Sequence, residues 1–380
     1  LIEPIPLSGR PLFTRRGGLA LLIPVFAILL GYVLYPSLRT FATGLQTEQL
    51  GQVFSSWRNA NVRALLNSTS VSLLTVLGAG VLGTGLAYLF FVFDFPLRRI
   101  LMSVAALPLA LPPLVGVMAF LFLYGESGIL PRGLMRVFGL EEAPFAFEGY
   151  LAVWFVHVYT MYVYFYLFVT AALKTIDGSV FEASADLGAS RAETFVRVVL
   201  PMLRPALVSA SLLVFMVSMA SFTAPLLFAG AESFLTTQIF NYKTNGNLDL
   251  AAAVSTVLTV ICLSFLVLME WSNRGRSMAG VAKGVRAAST RIRGGVARAA
   301  FFGGALALLV FLLLPVATVV LISFAREGSW TYQLLPERYT FDNYAALLAD
   351  PNVWQPIVNS LQMAALATAG NVVFGVATAL

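Results

Sequence analysis

Eight stretches of at least twenty residues carry no Asp, Glu, Lys or Arg: 17–38, 64–93, 100–125, 149–173, 205–231, 250–269, 299–325 and 351–380. Crossing the hydrocarbon core of a bilayer takes about 20 apolar residues as helix, so each window has room for one span. Backbone groups inside lipid must be satisfied internally, which leaves helices or a closed barrel. The apolar–polar alternation of a barrel strand is absent. With 59% hydrophobic and 11% charged residues, against about 25% charged in soluble domains, a soluble globular enzyme is excluded. The expectation is an all-α polytopic membrane protein with, at minimum, eight transmembrane helices. The first window runs past Pro36 without a small-residue cleavage site, so it reads as a span and not as a secretory signal.

Lys and Arg in the connections set the orientation. One side gathers residues 1–16, 94–99, 174–204 and 270–298, with 16 basic and 7 acidic residues. The other gathers 39–63, 126–148, 232–249 and 326–350, with 8 basic and 11 acidic. The first side is therefore expected to be cytoplasmic, the N-terminus included. The net charge of +6 then reflects this bias and not a nucleic-acid partner. One Cys (Cys262) and one His (His157) exclude a disulfide framework and leave little for a zinc site, so no cofactor or resident metal is expected.

Two segments repeat. Asn67-Ser68, Gly78, Val81, Gly83 and Ala87 return 292 residues later as Asn359-Ser360, Gly370, Val373, Gly375 and Ala379, without a gap. Gly17-Gly18 at the head of the first window resembles Gly303-Gly304 at the head of the seventh. Small residues so spaced also serve helix packing alone. The repeat reading is preferred because the matched segments hold equivalent places in the span order. Six spans separate the copies, so both enter the membrane in the same direction, as a parallel repeat. The expected organisation is a cytoplasmic segment (1–16), a first six-helix repeat (17–270), a basic cytoplasmic linker (271–298) and the two-helix start of a second repeat (299–380). The linker reads first as a topology signal and second as a contact for anionic headgroups. The repeat predicts a chain of roughly twelve spans, of which this sequence carries the first part.

Residues 174–204 are the most informative loop. Ser179 or Asp177 is placed to cap a short helix, Gly188 to end it, and a second helix is expected to run to Leu200 before Pro201 and Pro205 stop it. Four basic residues (Lys174, Arg191, Arg197, Arg204) balance four acidic ones (Asp177, Glu182, Asp186, Glu193). Small residues beside one acid make a surface that another protein can approach closely.

Within this loop Glu182, Ala183, Gly188, Val198, Leu200 and Pro201 match the pattern Glu-Ala-Ala, three residues, Gly, nine residues, Ile, one residue, Leu-Pro. The departures are Ser184 for the second Ala and Val198 for Ile. The sequence thereby resembles the membrane subunits of binding-protein-dependent ABC importers. Leu-Pro-Leu-Ala-Leu-Pro-Pro (107–113) and Ser-Phe-Thr-Ala-Pro (221–225) make it most similar to the iron(III)-type permeases with two fused six-helix repeats. The resemblance implies a type I ABC importer transmembrane fold, here one full six-helix repeat plus the start of a second, in the bacterial cytoplasmic (inner) membrane. It implies two copies of a cytoplasmic ATP-binding subunit and an extracytoplasmic solute-binding protein as partners. Residues 174–204 would couple to the ATPase through Glu182, Ala183, Ser184, Asp186, Gly188 and Ala189, with Glu182 pairing a basic residue and the small residues permitting close docking. The equivalent second segment is expected near residue 474 by the same offset. Thiamine, polyamine, phosphonate and sulfate importers use similar permeases, so iron(III) is one cargo among several.

Translocation-path candidates sit in the spans. Pro108, Pro112 and Pro113 interrupt the third window, and broken helices often line substrate cavities, though kinks also serve packing alone. Ser218, Ser221 and Thr223 resemble the stretch that borders the pathway in relatives, while Ser and Thr can also satisfy their own helix. His157 lies among Tyr159, Tyr162, Tyr164 and Tyr166. An ionisable group at that depth is a functional candidate, but a neutral packing histidine is the preferred reading. No span gathers the carboxylates that a hard metal wants, so any iron would be selected by the binding protein.

Other functions are weaker. A Gly-x4-Gly-Lys-[Ser/Thr] phosphate loop is absent, so the chain is read as a transport subunit and not an enzyme, with energy supplied by a partner. Gly125-Glu126-Ser127-Gly128 matches the short motif of intramembrane serine proteases with His157 as base, but Ser127 falls in a charged loop. A secondary transporter usually buries coupling charges, which these windows lack.

Overall fold

A computed structural model describes residues 23–56, 59–273, 290–291, 295–330 and 333–379. Segment 1–16 and most of linker 271–298 lie outside these residues. The chain divides into one unit of residues 44–338 and another of residues 1–43 with 339–380.

Helix α1 (Ile23–Gly44) is followed by the short α2 (Thr47–Val53) and the long α3 (Ala60–Val92). At 33 residues α3 is about 50 Å long, well beyond the hydrocarbon thickness of about 30 Å. Next come α4 (Arg98–Val104), α5 (Leu107–Ala110), α6 (Pro113–Tyr124), α7 (Ile129–Phe138) and α8 (Gly149–Leu173). Helices α9 (Gly178–Asp186), α10 (Arg191–Met202), α11 (Arg204–Met219) and α12 (Thr223–Phe228) follow. Then α13 (Leu235–Thr244), α14 (Leu248–Asn273), α15 (Gly295–Ser323), α16 (Asp342–Ala349) and α17 (Pro351–Ala379) complete the order. A two-residue parallel bridge pairs Phe93 with Thr290 and Asp94 with Arg291.

Among the described residues, seven helices are long and apolar enough to cross a membrane, and an eighth span arises if α10 and α11, bent by 70°, count as one. Six of them match a charge-free window, while the third and fifth windows are broken and only partly overlap the long helices 113–138 and 191–219. The third window is three helices, not one kinked helix. Residues that precede proline are driven to extended backbone, and both Leu111 (ψ 130°) and Pro112 (ψ 137°) take it, separating α5 from α6. The fifth window breaks at 220–222. Pro225 has no N–H for the Ser221 carbonyl four residues back, and that carbonyl accepts from the Thr236 hydroxyl instead, at 2.8 Å.

The expected stop at Leu200 is also corrected: α10 continues through Pro201 to Met202. Its turns widen to π spacing over Phe195–Val199, with the Leu200 N–H donating to the Phe195 carbonyl. One wide turn re-registers the ladder, so the proline ring enters without the usual clash.

The 44–338 unit is organised around α8, whose Val153, Val156, Tyr162, Val163, Val169 and Leu173 are fully buried. Its closest neighbour is α3. A side chain at Gly83 would fall on the Tyr162 carbonyl and 2.7 Å from the Phe165 Cβ, and one at Gly78 2.7 Å from a Val158 methyl. Glycines on one helix thus receive the bulky face of the other, the usual means of close approach in lipid. In the other unit, the described part of α1 and helices α16 and α17 are largely exposed.

Candidate functional site

The two broken spans and α8 enclose a cavity of about 530 Å³. Of the sequence-derived candidates, Pro108, Pro112, Pro113, His157, Ser221 and Thr223 all line it. Ser218 sits behind the wall and is buried. Thr160 and Met161, which sequence reasoning did not single out, line it too, as does Tyr164 of the tyrosine group. They lie three, four and seven residues after His157, so helical periodicity puts them on its face. Pro315 of α15 also contributes. The polar lining is hydroxyls and one imidazole, set among aromatic and aliphatic groups. Among the described residues no group of three or more His, Cys, Asp or Glu gathers as a metal would need.

His157 is buried, with both ring nitrogens engaged: Nδ1 lies 3.0 Å from the Ser218 hydroxyl and Nε2 2.9 Å from that of Ser221. Ser72 on α3 donates to Ser218 at 2.9 Å. Nothing in a single sequence distinguishes Ser72 from its serine neighbours.

Tyr159, Tyr162 and Tyr166 share a face of α8, and their hydroxyls donate to backbone carbonyls of neighbouring elements. Where α4 ends, the Ala106 N–H turns to Ser103, so the Met102 carbonyl loses its helical donor. It accepts from the Tyr166 hydroxyl at 3.1 Å. Similarly, Pro108 has no N–H and Leu109 donates to Ala106, so the Ala105 carbonyl accepts from Tyr162 at 2.9 Å. Tyr159 donates to the Leu312 carbonyl at 2.6 Å, one turn before Pro315. Tyr166 and Tyr162 thus satisfy carbonyls left open by the end of α4 and by Pro108, while Tyr159 adds a bond to a carbonyl of α15. Tyr162→Phe is expected to cost about 1–3 kcal/mol, the penalty of an unpaired buried acceptor. The apparent unfolding temperature in detergent checks it, with Tyr150→Phe, whose hydroxyl meets exposed Ser70, showing little change.

The second candidate is the hairpin α9–α10. Asp177 caps α9 by accepting from the Ser179 N–H at 2.9 Å. Gly188 ends it at φ +79°, with the Ala189 N–H donating to the Ser184 carbonyl and the Gly188 N–H to that of Ala185. This is the Schellman closure, which needs a left-handed residue and so a glycine. Ser190 and Glu193 then form a reciprocal capping box that starts α10. The Ser-x-x-Glu spacing carries that signal in the sequence, where it went unread.

Aromatic contacts seat the hairpin on the end of α3: Tyr88 against Phe195 at 4.3 Å, Phe91 against Phe181 at 5.7 Å, and the Arg191 guanidinium over the Phe93 ring at 5.3 Å. Glu182, Ala183, Asp186 and Gly188 face solvent, and Ala189 is half-buried. Ser184 differs: it is buried and its hydroxyl donates to the Val180 carbonyl. Leu187, inside the motif but not singled out by sequence, is 87% exposed, unusual for a leucine beside a packed turn.

Residues 79–278, which include the hairpin and most of the cavity wall, match the family described as binding-protein-dependent transport system inner membrane component. The chain belongs to this family. It is a multi-pass inner membrane protein, the permease component and not the ATPase of its system. Similar proteins include a probable ABC transporter permease protein, y4fN, of Sinorhizobium fredii, 29% identical over 82% of this chain and 55% of that protein. Ferric transport system permease protein FbpB of Actinobacillus pleuropneumoniae is 25% identical over 93% of this chain and 52% of that protein. A putative 2-aminoethylphosphonate permease, PhnU, of Salmonella paratyphi A is 28% identical over 70% of this chain and 89% of its own length. The chain spans about half the length of the first two relatives. Among solved structures, a bacterial alginate ABC transporter in complex with an alginate pentasaccharide-bound periplasmic protein is similar in fold. Its TM-score is 0.56 at 19% identity, covering 67% of this chain and 93% of that one. The fold is therefore that of ABC importer permeases.

Proposed function

We propose that this permease component forms the translocation path of an ATP-driven importer, lined at the cavity and coupled to a cytoplasmic ATPase through the α9–α10 hairpin. The N-terminus and the hairpin face the cytoplasm, where two ATP-binding subunits dock, and a solute-binding protein delivers cargo to the opposite face. The alginate transporter with its periplasmic protein supports that partner. Residues 17–270 make the first six-helix repeat and 299–380 the start of the second, joined by linker 271–298.

The observation that carries this reading is convergence: proline, histidine and hydroxyl residues from three separate spans meet at one cavity between two breaks. Broken helices at membrane depth are tolerated where they line a cavity. Iron(III) is the favoured cargo, supported by ferric permeases similar over more than nine-tenths of the chain. Its selection falls to the binding protein, because hydroxyls and an imidazole without carboxylates do not make a hard-cation site. Phosphonate is the second reading, supported by the phosphonate permeases.

The test is a cysteine at the wall. In a Cys262→Ala background, Thr223→Cys labelled with a small charged thiol reagent is expected to cut ATP-driven uptake at least about tenfold, by filling the lumen with a group that the lining cannot satisfy. Glu142→Cys, exposed in the 126–148 connection outside the spans, should label without loss. Full uptake after complete labelling of residue 223 would remove the cavity from the path.

A further inference from the structure

His157 joins the two sides of the break in the fifth window. Ser218 belongs to α11, whereas Ser221 lies in the 220–222 interruption that leads to α12. Burial of Ser72 selects a position for the ring's proton: its hydroxyl is fully enclosed with Ser218 as its partner, and a hydrogen not given to Ser218 would be an unpaired buried donor. A serine hydroxyl owns a single hydrogen. Ser218 receives that of Ser72 and gives its own to Nδ1, which must be the bare nitrogen of a neutral ring. That assignment puts the ring proton on Nε2, which faces the Ser221 oxygen at 2.9 Å.

This arrangement controls Ser221. With its oxygen accepting from the imidazole, the Ser221 hydroxyl keeps its hydrogen for another partner, and among the described residues none takes it. Ser221 lines the cavity, so that hydrogen has the lumen before it. The relay is sheltered: Ser72 is fully buried, and His157 and Ser218 are 1% and 3% exposed. Buried, fully paired polar chains of this kind hold one geometry, because any other leaves an unpaired group in a low-dielectric interior. No charged side chain takes part.

We propose that His157 is a positioning residue that holds the Ser221 hydroxyl as a hydrogen-bond donor into the cavity, where it meets an acceptor oxygen on the passing solute. The proposal rests on the reading of the cavity as the path. The chemistry required is an oxygen bearing a free lone pair. An oxygen-ligated iron(III) complex and a phosphonate both present one, and separate uptake measurements distinguish them.

The first arm of the test needs no solute. The full-length protein, assembled with its ATPase in lipid vesicles, is labelled with 15N-histidine, and the His157 signals are identified by their loss in His157→Asn. At pH 7 the expected spectrum has the proton on Nε2 alone, with Nδ1 responding to Ser218→Ala and Nε2 to Ser221→Ala. A proton on Nδ1, or on both nitrogens, overturns the proposal.

The second arm measures uptake of iron(III) citrate and of 2-aminoethylphosphonate at saturating concentration, in vesicles that also receive the binding protein. Ser221→Ala and His157→Asn are each expected to slow transfer of the carried solute about three- to tenfold, the worth of one hydrogen bond. The double variant should be no slower than either, since both remove one contact. His157→Gln, whose amide can reach Ser221, should restore part of the rate, which a residue serving only to fill space would not. Multiplying effects, or no rescue, would make His157 a packing residue. Where neither solute is carried, the position of the ring proton alone decides. Failure of the thiol block at residue 223 would instead remove the path reading while leaving the ring proton as measured.

Discussion

Replacing Glu182 with lysine is expected to release the ATPase subunit from the purified protein and abolish ATP-driven uptake. Glu182 is exposed on the second turn of α9, and among the described residues it makes no ion pair. Glutamate and lysine have similar helix propensities, and the cap at Asp177 and the Schellman closure at Gly188 do not involve this side chain. The hairpin should therefore stay folded, and the apparent unfolding temperature should not move. At the docking surface, loss of one partner of a close charge pair costs about 2–5 kcal/mol, and reversal adds repulsion. Affinity for the ATPase should fall at least about 30-fold, enough to lose it during purification. Glu142→Lys, equally exposed but in the 126–148 connection assigned to the opposite face, should retain the ATPase. Retention by Glu182→Lys at equal expression would end the coupling assignment; loss in both variants would end the assigned topology.

The same residues show how far a single sequence reaches. Runs without charge located α1, α3, α8, α14, α15 and α17 to within about six residues, because burial of charge in lipid is costly whatever the fold, whereas the third and fifth windows are each offset from their helices by more than ten. The hairpin was legible for a similarly local reason: Asp177 and Gly188 act within a few residues of themselves. Pro201 misled because a proline's effect depends on its ladder, and the π turn that accommodates it leaves no residue signature. Pro112-Pro113 signalled a kink, and the local pre-proline rule, applied twice in succession, accounts for the full break. What could not be read was partnership at a distance. Tyr159, Tyr162 and Tyr166 share one face of α8 and reach carbonyls as much as 153 residues away. Ser72 joins His157 only because α3 packs against α8, and that packing depends on glycines whose spacing was first noticed as a repeat.

Gly83→Ala is expected to be among the most damaging single-methyl changes in the unit. A Cβ there would meet the Tyr162 carbonyl, the Phe165 Cβ at 2.7 Å and the Tyr166 N at 2.8 Å. Two of these are main-chain atoms inside a helix and cannot turn aside, so α3 and α8 must separate. Overpacking of this sort costs about 1–3 kcal/mol for small additions. Here it also pulls on Tyr162 and Tyr166, the donors that satisfy the end of α4. A leucine at residue 83 should prevent stable folding. Gly85, two residues along the same helix, is exposed and has nothing within 4 Å of a Cβ. Gly85→Ala should be neutral or stabilising by up to about 1 kcal/mol, the ordinary helix gain over glycine. The pair shares helix, chemistry and added volume, so the difference in unfolding temperature between the two variants isolates the contact. Equal temperatures would mean that α3 and α8 do not meet through Gly83, and the Ser72 end of the His157 relay would lose its support with them.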